Sequence, residues 1–267
     1  MNLIEGKVAV IFAAGGAIAS EVAQAMAMEG AHVFLSGRRL AAVQEIADRI
    51  LSSGGKAMAH QVDAESENEI IAYIELIANL TGKIDIVFNG IGARPVDLGY
   101  GTPSADLPFS LFMKTLQINA GSQFLTSRTA AKIMRRLGSK GTILTLSASL
   151  SRLKIPCMAG ITAACSAVEG MSRVLAAEFG SSGIKVICIN AAGMPTTRTI
   201  RETTALIERT TGVIPIEVDK KTSSNALLGY GPCPKDIGNL SVFLATPAGS
   251  IFNSHVIDAD FGAANVI

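Results

Sequence analysis

The chain has 267 residues, 49% of them hydrophobic and 17% charged, and its 23 basic and 22 acidic side chains leave a formal net charge of +1. That length buries a substantial core, the composition excludes a disordered chain, and the charge balance argues against nucleic acid or an anionic membrane as the main partner. Four scattered cysteines (157, 165, 188 and 233) exclude a disulfide scaffold, and Glu21, Glu169 and Arg173 interrupt the longest apolar runs, so the sequence reads as soluble and cytoplasmic.

Residues 7–12 form a short β-branched run and predict a strand; residues 16–29 place Ile18, Val22, Ala25, Met26 and Met28 at helical spacing. A strand over 31–36 precedes an amphipathic helix over 40–52, which Gly54-Gly55 closes. Then come a strand at 57–62, a helix at 70–80 and a buried strand at 84–88. Residues 90–108, rich in Gly and Pro, read as loop, and a long helix is expected over 110–137. Strand 142–146, helix 158–179 and strand 184–189 follow, while 191–234 has weaker periodicity and suits a mobile, substrate-covering insert (lid 191–233). Strand–helix alternation predicts one α/β domain, a doubly wound parallel sheet with helices on both faces and its ligand at the carboxyl ends of the strands.

The turn after the first strand, Phe12-Ala13-Ala14-Gly15-Gly16-Ala17-Ile18-Ala19, is built of small residues and opens a helix. A dinucleotide site uses such a turn for close approach of backbone to pyrophosphate, which makes Ala13, Gly15, Gly16 and Ile18 candidate contacts. Yet G-x-G-x-x-G is absent, and a methyl group stands where hydrogen gives most clearance. The three histidines, 32, 60 and 255, have no ligand spacing, so no metal site is expected.

Several stretches together resemble the short-chain dehydrogenase/reductase family: EGAHVFLSGRR ending at Arg39, Val62-Asp63, IDIVFNGIG at 84–92, LQIN ending at Asn119, GTILTLSAS at 141–149, GIKVICINAAG at 183–193 and IDADFG at 257–262. The resemblance implies a Rossmann-type fold, a nicotinamide cofactor and a homodimer or homotetramer assembled through the long helices. Arg38 matches the arginine that meets the ribose 2′-phosphate in NADP-preferring members, and Arg39 adds a second charge. Asp63 matches an adenine contact, Asn89 and Gly90 the cofactor-side loop, and Thr196 a threonine that holds the nicotinamide carboxamide.

The same resemblance places Ala148, Ile161 and Cys165 where the family carries Ser, Tyr and Lys for proton delivery; of that tetrad only Asn119 survives. No tyrosine lies between 101 and 229, so no shift of alignment restores the pair. Ser147 and Ser149 flank the missing serine and are, with Asn119, the candidate catalytic residues; Tyr100, and more remotely Asp97, are candidate replacement acids from the Gly/Pro loop. Two readings follow: an NADP(H)-dependent carbonyl/alcohol oxidoreductase with an atypical mechanism, or a catalytically inactive relative acting as a binding or regulatory module. Non-redox chemistry in the same cleft is a third, for which no catalytic group is evident.

Overall fold

Alternate residues of the first strand serve two cores. In the computed structural model, which describes residues 2–212 and 226–262, β1 (Val8–Phe12) is buried along its whole length. Ala9 and Ile11 belong to the cluster beneath α1 (Ala17–Met28) and α2 (Leu40–Ser52), whereas Val8, Val10 and Phe12 face α3 (Glu67–Thr81). Such two-sided burial is what a parallel sheet between helical layers requires.

The other strands are β2 (His32–Gly37), β3 (Lys56–Gln61), β4 (Ile86–Asn89), β5 (Gly141–Ala148), β6 (Ile184–Ala191) and β7 (Val256–Ala259). All pair in parallel, in the order β3-β2-β1-β4-β5-β6-β7. The order reverses between β1 and β4, so a crevice opens there at the carboxyl ends. Asp85 fixes that junction from below: its carboxylate accepts the Val8 backbone N–H at 2.9 Å and pairs with Lys7 and Lys83. Helices α4 (Phe109–Leu116), α5 (Ser122–Arg136), α6 (Ala159–Gly180), α7 (Arg198–Thr211) and α8 (Pro234–Ala245) complete the described chain.

The observed bounds of α2 are those expected, and the other predicted elements lie within a few residues of theirs. The expected long helix instead contains one π turn, Gln117–Gly121, between α4 and α5. A 3₁₀ turn, Pro95–Leu98, lies within the expected loop, and α7 occupies part of the expected insert. The rest of that insert, 213–225, falls outside the described residues. Helix α8 had no counterpart among the predicted elements. It packs on α1, where a Cβ at Gly238 would stand 2.9 Å from the Glu21 carbonyl oxygen, so close contact there depends on the missing side chain. Among the described residues no helix is long and apolar enough to cross a membrane.

Candidate active site

The β1–α1 turn has the shape of an anion cradle despite its sequence. Ala13 takes φ +57°, the left-handed region that favours glycine, and its carbonyl accepts the Gly16 N–H at 2.9 Å. Gly16 caps α1 without any side-chain acceptor, and the first turn holds no acidic residue, so the positive end of the helix is left for a ligand. Across the crevice, a Cβ at Gly90 would lie 2.7 Å from Ala19 Cβ. Ala19 thus carries a methyl where the expected pattern has glycine, and the space is recovered by removing a side chain opposite.

These residues line one end of a continuous cavity of about 1290 Å³. Arg38, Arg39, Asp63 and Glu65 lie at its rim, with Arg38 Nη1 3.8 Å from Glu65 Oε1. Asp63 Oδ1 accepts the Glu65 N–H at 3.0 Å, closing a turn that presents the acid to the cavity. The donor set suits a phosphorylated dinucleotide: free helix amides for a pyrophosphate, guanidinium groups for a 2′-phosphate and a carboxylate for a base amine.

At the other end, positions 148, 161 and 165 form an apolar wall. Ala148 and Ile161 pack with Met158, Ala164, Cys165 and Ile207, and Tyr100 lies against that cluster. Burial pushes the Cys165 thiol up to about 11, only partly opposed by a hydrogen bond with the Ala148 backbone, so it is a neutral, small, apolar group at ordinary pH. Tyr100 is also raised, by burial first and then by Cys165.

The nominated serines line this cavity but are already bonded. Ser147 Oγ donates to Glu169 Oε1 at 2.9 Å, and Ser149 Oγ to the Ala191 carbonyl at 3.4 Å. Glu169 Oε1 also accepts from Ser151 Oγ at 2.6 Å and from Asn190 Nδ2 at 2.7 Å. Arg152 approaches its second oxygen at 3.8 Å and joins it to Asp258. This buried carboxylate, one helical turn beyond Cys165, is a residue that sequence reasoning missed; its partners lie 18–22 positions away, beyond any local motif.

Asn119 lines the cavity from the middle of the π turn. There the Ser122 N–H bonds back five residues to the Gln117 carbonyl, and the Asn119 side-chain amide donates to the Thr115 carbonyl at 2.9 Å. A π turn displaces the usual i−4 acceptors, and the side chain of Asn119 satisfies one of them.

All the nominated residues line the cavity except two. Asn89 is fully buried, its Oδ1 accepting from Thr126 Oγ1 at 2.6 Å and its Nδ2 donating to Ser127 Oγ at 3.2 Å, so its side chain ties β4 to α5. Thr196 is exposed, while the next residue, Thr197, caps α7 and lines the cavity, as does Thr199. No described group of His, Cys, Asp or Glu side chains has the arrangement of a metal site.

Residues 13–264 match the model of a family described as Enoyl-(Acyl carrier protein) reductase. Among curated relatives, 7alpha-hydroxysteroid dehydrogenase of Escherichia coli (strain K12) is 28% identical over 259 residues, covering 97% of this chain and 94% of its own. Cyclohexanol dehydrogenase of Acinetobacter sp. (strain SE19) is 25% identical over 185 residues, covering 69% and 72%. A solved 7 alpha-hydroxysteroid dehydrogenase, complexed with NADH and 7-oxo glycochenodeoxycholic acid, superposes with TM-score 0.84 at 28% identity over 98% of this chain and 96% of that one.

Proposed function

The chain belongs to the short-chain dehydrogenase/reductase family of oxidoreductases, and on that premise we propose that it is an NADP(H)-dependent oxidoreductase interconverting an alicyclic ketone and its alcohol by an atypical mechanism. The observation that carries this reading is the single cavity that runs from the Ala13–Gly16 turn and Arg38 to the apolar wall of Ala148 and Ile161. One end suits a dinucleotide and the other a water-poor substrate chamber. The names of the relatives, a hydroxysteroid and a cyclohexanol dehydrogenase, support a ring alcohol as the substrate class.

When bound, the nicotinamide would supply a two-electron hydride. The chain's own residues hold and orient. Ala13, Gly15, Gly16 and Ile18 form the pyrophosphate cradle, and Asp63 and Gly90 border the crevice. Arg38 and Arg39 supply charge and fork geometry for a 2′-phosphate, and Glu65, 3.8 Å from Arg38, is exposed enough to be displaced by the stronger anion. That preference separates this chain from the solved relative, which holds NADH. Asn119, through its bond to Thr115, holds the π turn at the cavity. Ser147 and Ser149 brace the end of β5.

Calorimetric titration tests the cofactor half of the reading. Wild type should bind NADPH in the micromolar range, and Arg38→Ala should weaken NADPH by tenfold or more while leaving NADH within about twofold, as loss of one charge-assisted contact of about 1.5–3 kcal/mol implies. Absence of heat at millimolar NADPH overturns it.

A further inference from the structure

We propose that the Tyr100 hydroxyl binds the substrate's carbonyl oxygen and gives it its proton, replacing from the loop before α4 the phenol that is missing from α6. This rests on the hydride-transfer reading above.

Charge develops on the substrate oxygen as hydride reaches the carbonyl carbon, and a donor already placed in a water-poor pocket stabilises it. Several polar groups at this end of the cavity are spent. Ser147 serves Glu169, Ser149 serves the Ala191 carbonyl, and the Asn119 amide serves the Thr115 carbonyl. Cys165 is a weak donor held in apolar packing. Tyr100 is the one hydrophobic side chain packed on that cluster that also bears a hydroxyl, and no hydrogen bond engages that hydroxyl among the described residues; the Thr199, Thr203 and Thr204 hydroxyls line the cavity from α7.

The backbone around it is built to hold that side chain in place. Gly99 and Gly101 both take left-handed conformations, at φ +71° and +82°. A Cβ at Gly99 would stand 2.8 Å from Leu107 Cδ1, and one at Gly101 2.8 Å from the Leu206 carbonyl. Neither position accepts a side chain. The Tyr100 N–H donates to the Pro95 carbonyl at 3.2 Å, and the Gly101 N–H donates to the Cys157 carbonyl at 3.0 Å. The residue is therefore flanked by the segment before α4, by α7 and by the segment leading into α6, while its ring packs on the cluster that contains Ile161 and Cys165, where the resemblance expects Tyr and Lys. Burial keeps this phenol protonated well past the ordinary tyrosine range, so the O–H is intact whenever a ketone arrives.

The step balances simply. With the nicotinamide bound, it would supply the hydride and its two electrons to the carbonyl carbon; the π pair would move to oxygen, and the Tyr100 O–H bond would break to protonate that oxygen. The ketone would become the alcohol, and the phenolate would regain a proton from solvent through the cavity.

The test combines a binding readout with turnover. The chain has three tyrosines and no tryptophan, so protein grown with 3-fluorotyrosine gives three ¹⁹F lines, and Tyr100→Phe assigns one of them. Titrating cyclohexanone or 7-oxo glycochenodeoxycholate, without cofactor, should move the Tyr100 line. A ¹³C-labelled cyclohexanone carbonyl should shift downfield in wild type and not in Tyr100→Phe. With NADPH, Tyr100→Phe should lower kcat for ketone reduction by at least about a hundredfold while NADPH affinity and Tm stay within error. Ketone turnover in Tyr100→Phe within about threefold of wild type overturns the proposal while the oxidoreductase reading stands. A wild type that neither shifts nor reduces either ketone overturns it too, and the NADPH titration then decides separately whether the cofactor reading survives.

Discussion

Ala13 stands at φ +57° with a methyl that the left-handed region penalises by about 1–2 kcal/mol, in the turn that borders the phosphate end of the cavity. Ala13→Gly relieves that strain and gives back part of the gain through the unfolded chain, so the variant should be more stable by about 0.5–1 kcal/mol, read as a higher denaturant midpoint at unchanged m. No change would mean that the fold bears the conformation without cost. Ala19 and Gly90 make a second residue-scale case. Their would-be Cβ contact of 2.7 Å makes Gly90→Ala an overpacking change of about 1–3 kcal/mol. Combining it with Ala19→Gly should recover at least about 0.5 kcal/mol of that cost in a double-mutant cycle. Strict additivity would show that the two sites are independent.

At the scale of elements, Glu169 on α6 gathers donors from β5, β6 and the segment after β5, so its removal acts on several elements together. Glu169→Ala strands two buried donors, Ser147 and Asn190, and the half-buried Ser151, and should cost about 3 kcal/mol or more, whereas Glu169→Gln keeps an acceptor and should cost clearly less; equal losses would show that charge rather than acceptance matters. The same scale shows what the sequence could and could not reveal. Continuous apolar runs located β1 and β2, which are buried on both faces, and a period of 3.6 located α1 and α2. Periodicity missed α8, whose buried face mixes Ile237, Val242 and Leu244 with Gly238 and Ser241, so the apolar spacing is interrupted where Gly238 meets α1. It read 110–137 as one helix because a π turn adds a residue without altering composition. Within the candidate site, the turn and Arg38 were legible as local pattern. The side-chain partners of Asn89 and Glu169, separated by 18–38 positions, were not.

For the whole molecule, one contact beneath the sheet's first edge bears on both ends of the pH range. His60 on β3 lies 5.2 Å, ring to ring, from Tyr73 on α3, which meets Phe12 edge-on at 5.8 Å. His60 Nδ1 is buried without a hydrogen-bond partner among the described residues and the Tyr73 hydroxyl is buried near Ser36, so the fold holds each in its uncharged form. Burial lowers the His60 pKa below its ordinary value of 6.5. Between the folded and unfolded values the unfolded chain binds more protons, so this contribution is whole above about pH 6.5 and is lost as pH falls through the window below it. Burial raises Tyr73 above its ordinary value of 10.0, with the opposite sign: its contribution is whole below about pH 10 and is lost as pH rises. His32, lowered by burial and by Lys56, adds to the acid edge, and Tyr100 to the alkaline one. Tm should therefore fall on the acid side below about pH 7 and on the alkaline side above about pH 9, where Cys165 and Cys188, raised by burial, add to the fall and Lys185, lowered by burial to about 8, opposes it. His60→Phe should lessen the acid fall without moving the alkaline one, and Tyr73→Phe the reverse, leaving the shares carried by His32 and by Tyr100, Cys165 and Cys188, in calorimetric scans across the range. An acid edge that is as steep in His60→Phe as in wild type would place the titrating group elsewhere. Saturating NADPH, if it binds only the folded chain, raises the plateau by an amount set by its affinity, which separates ligand linkage from proton linkage in the same scans.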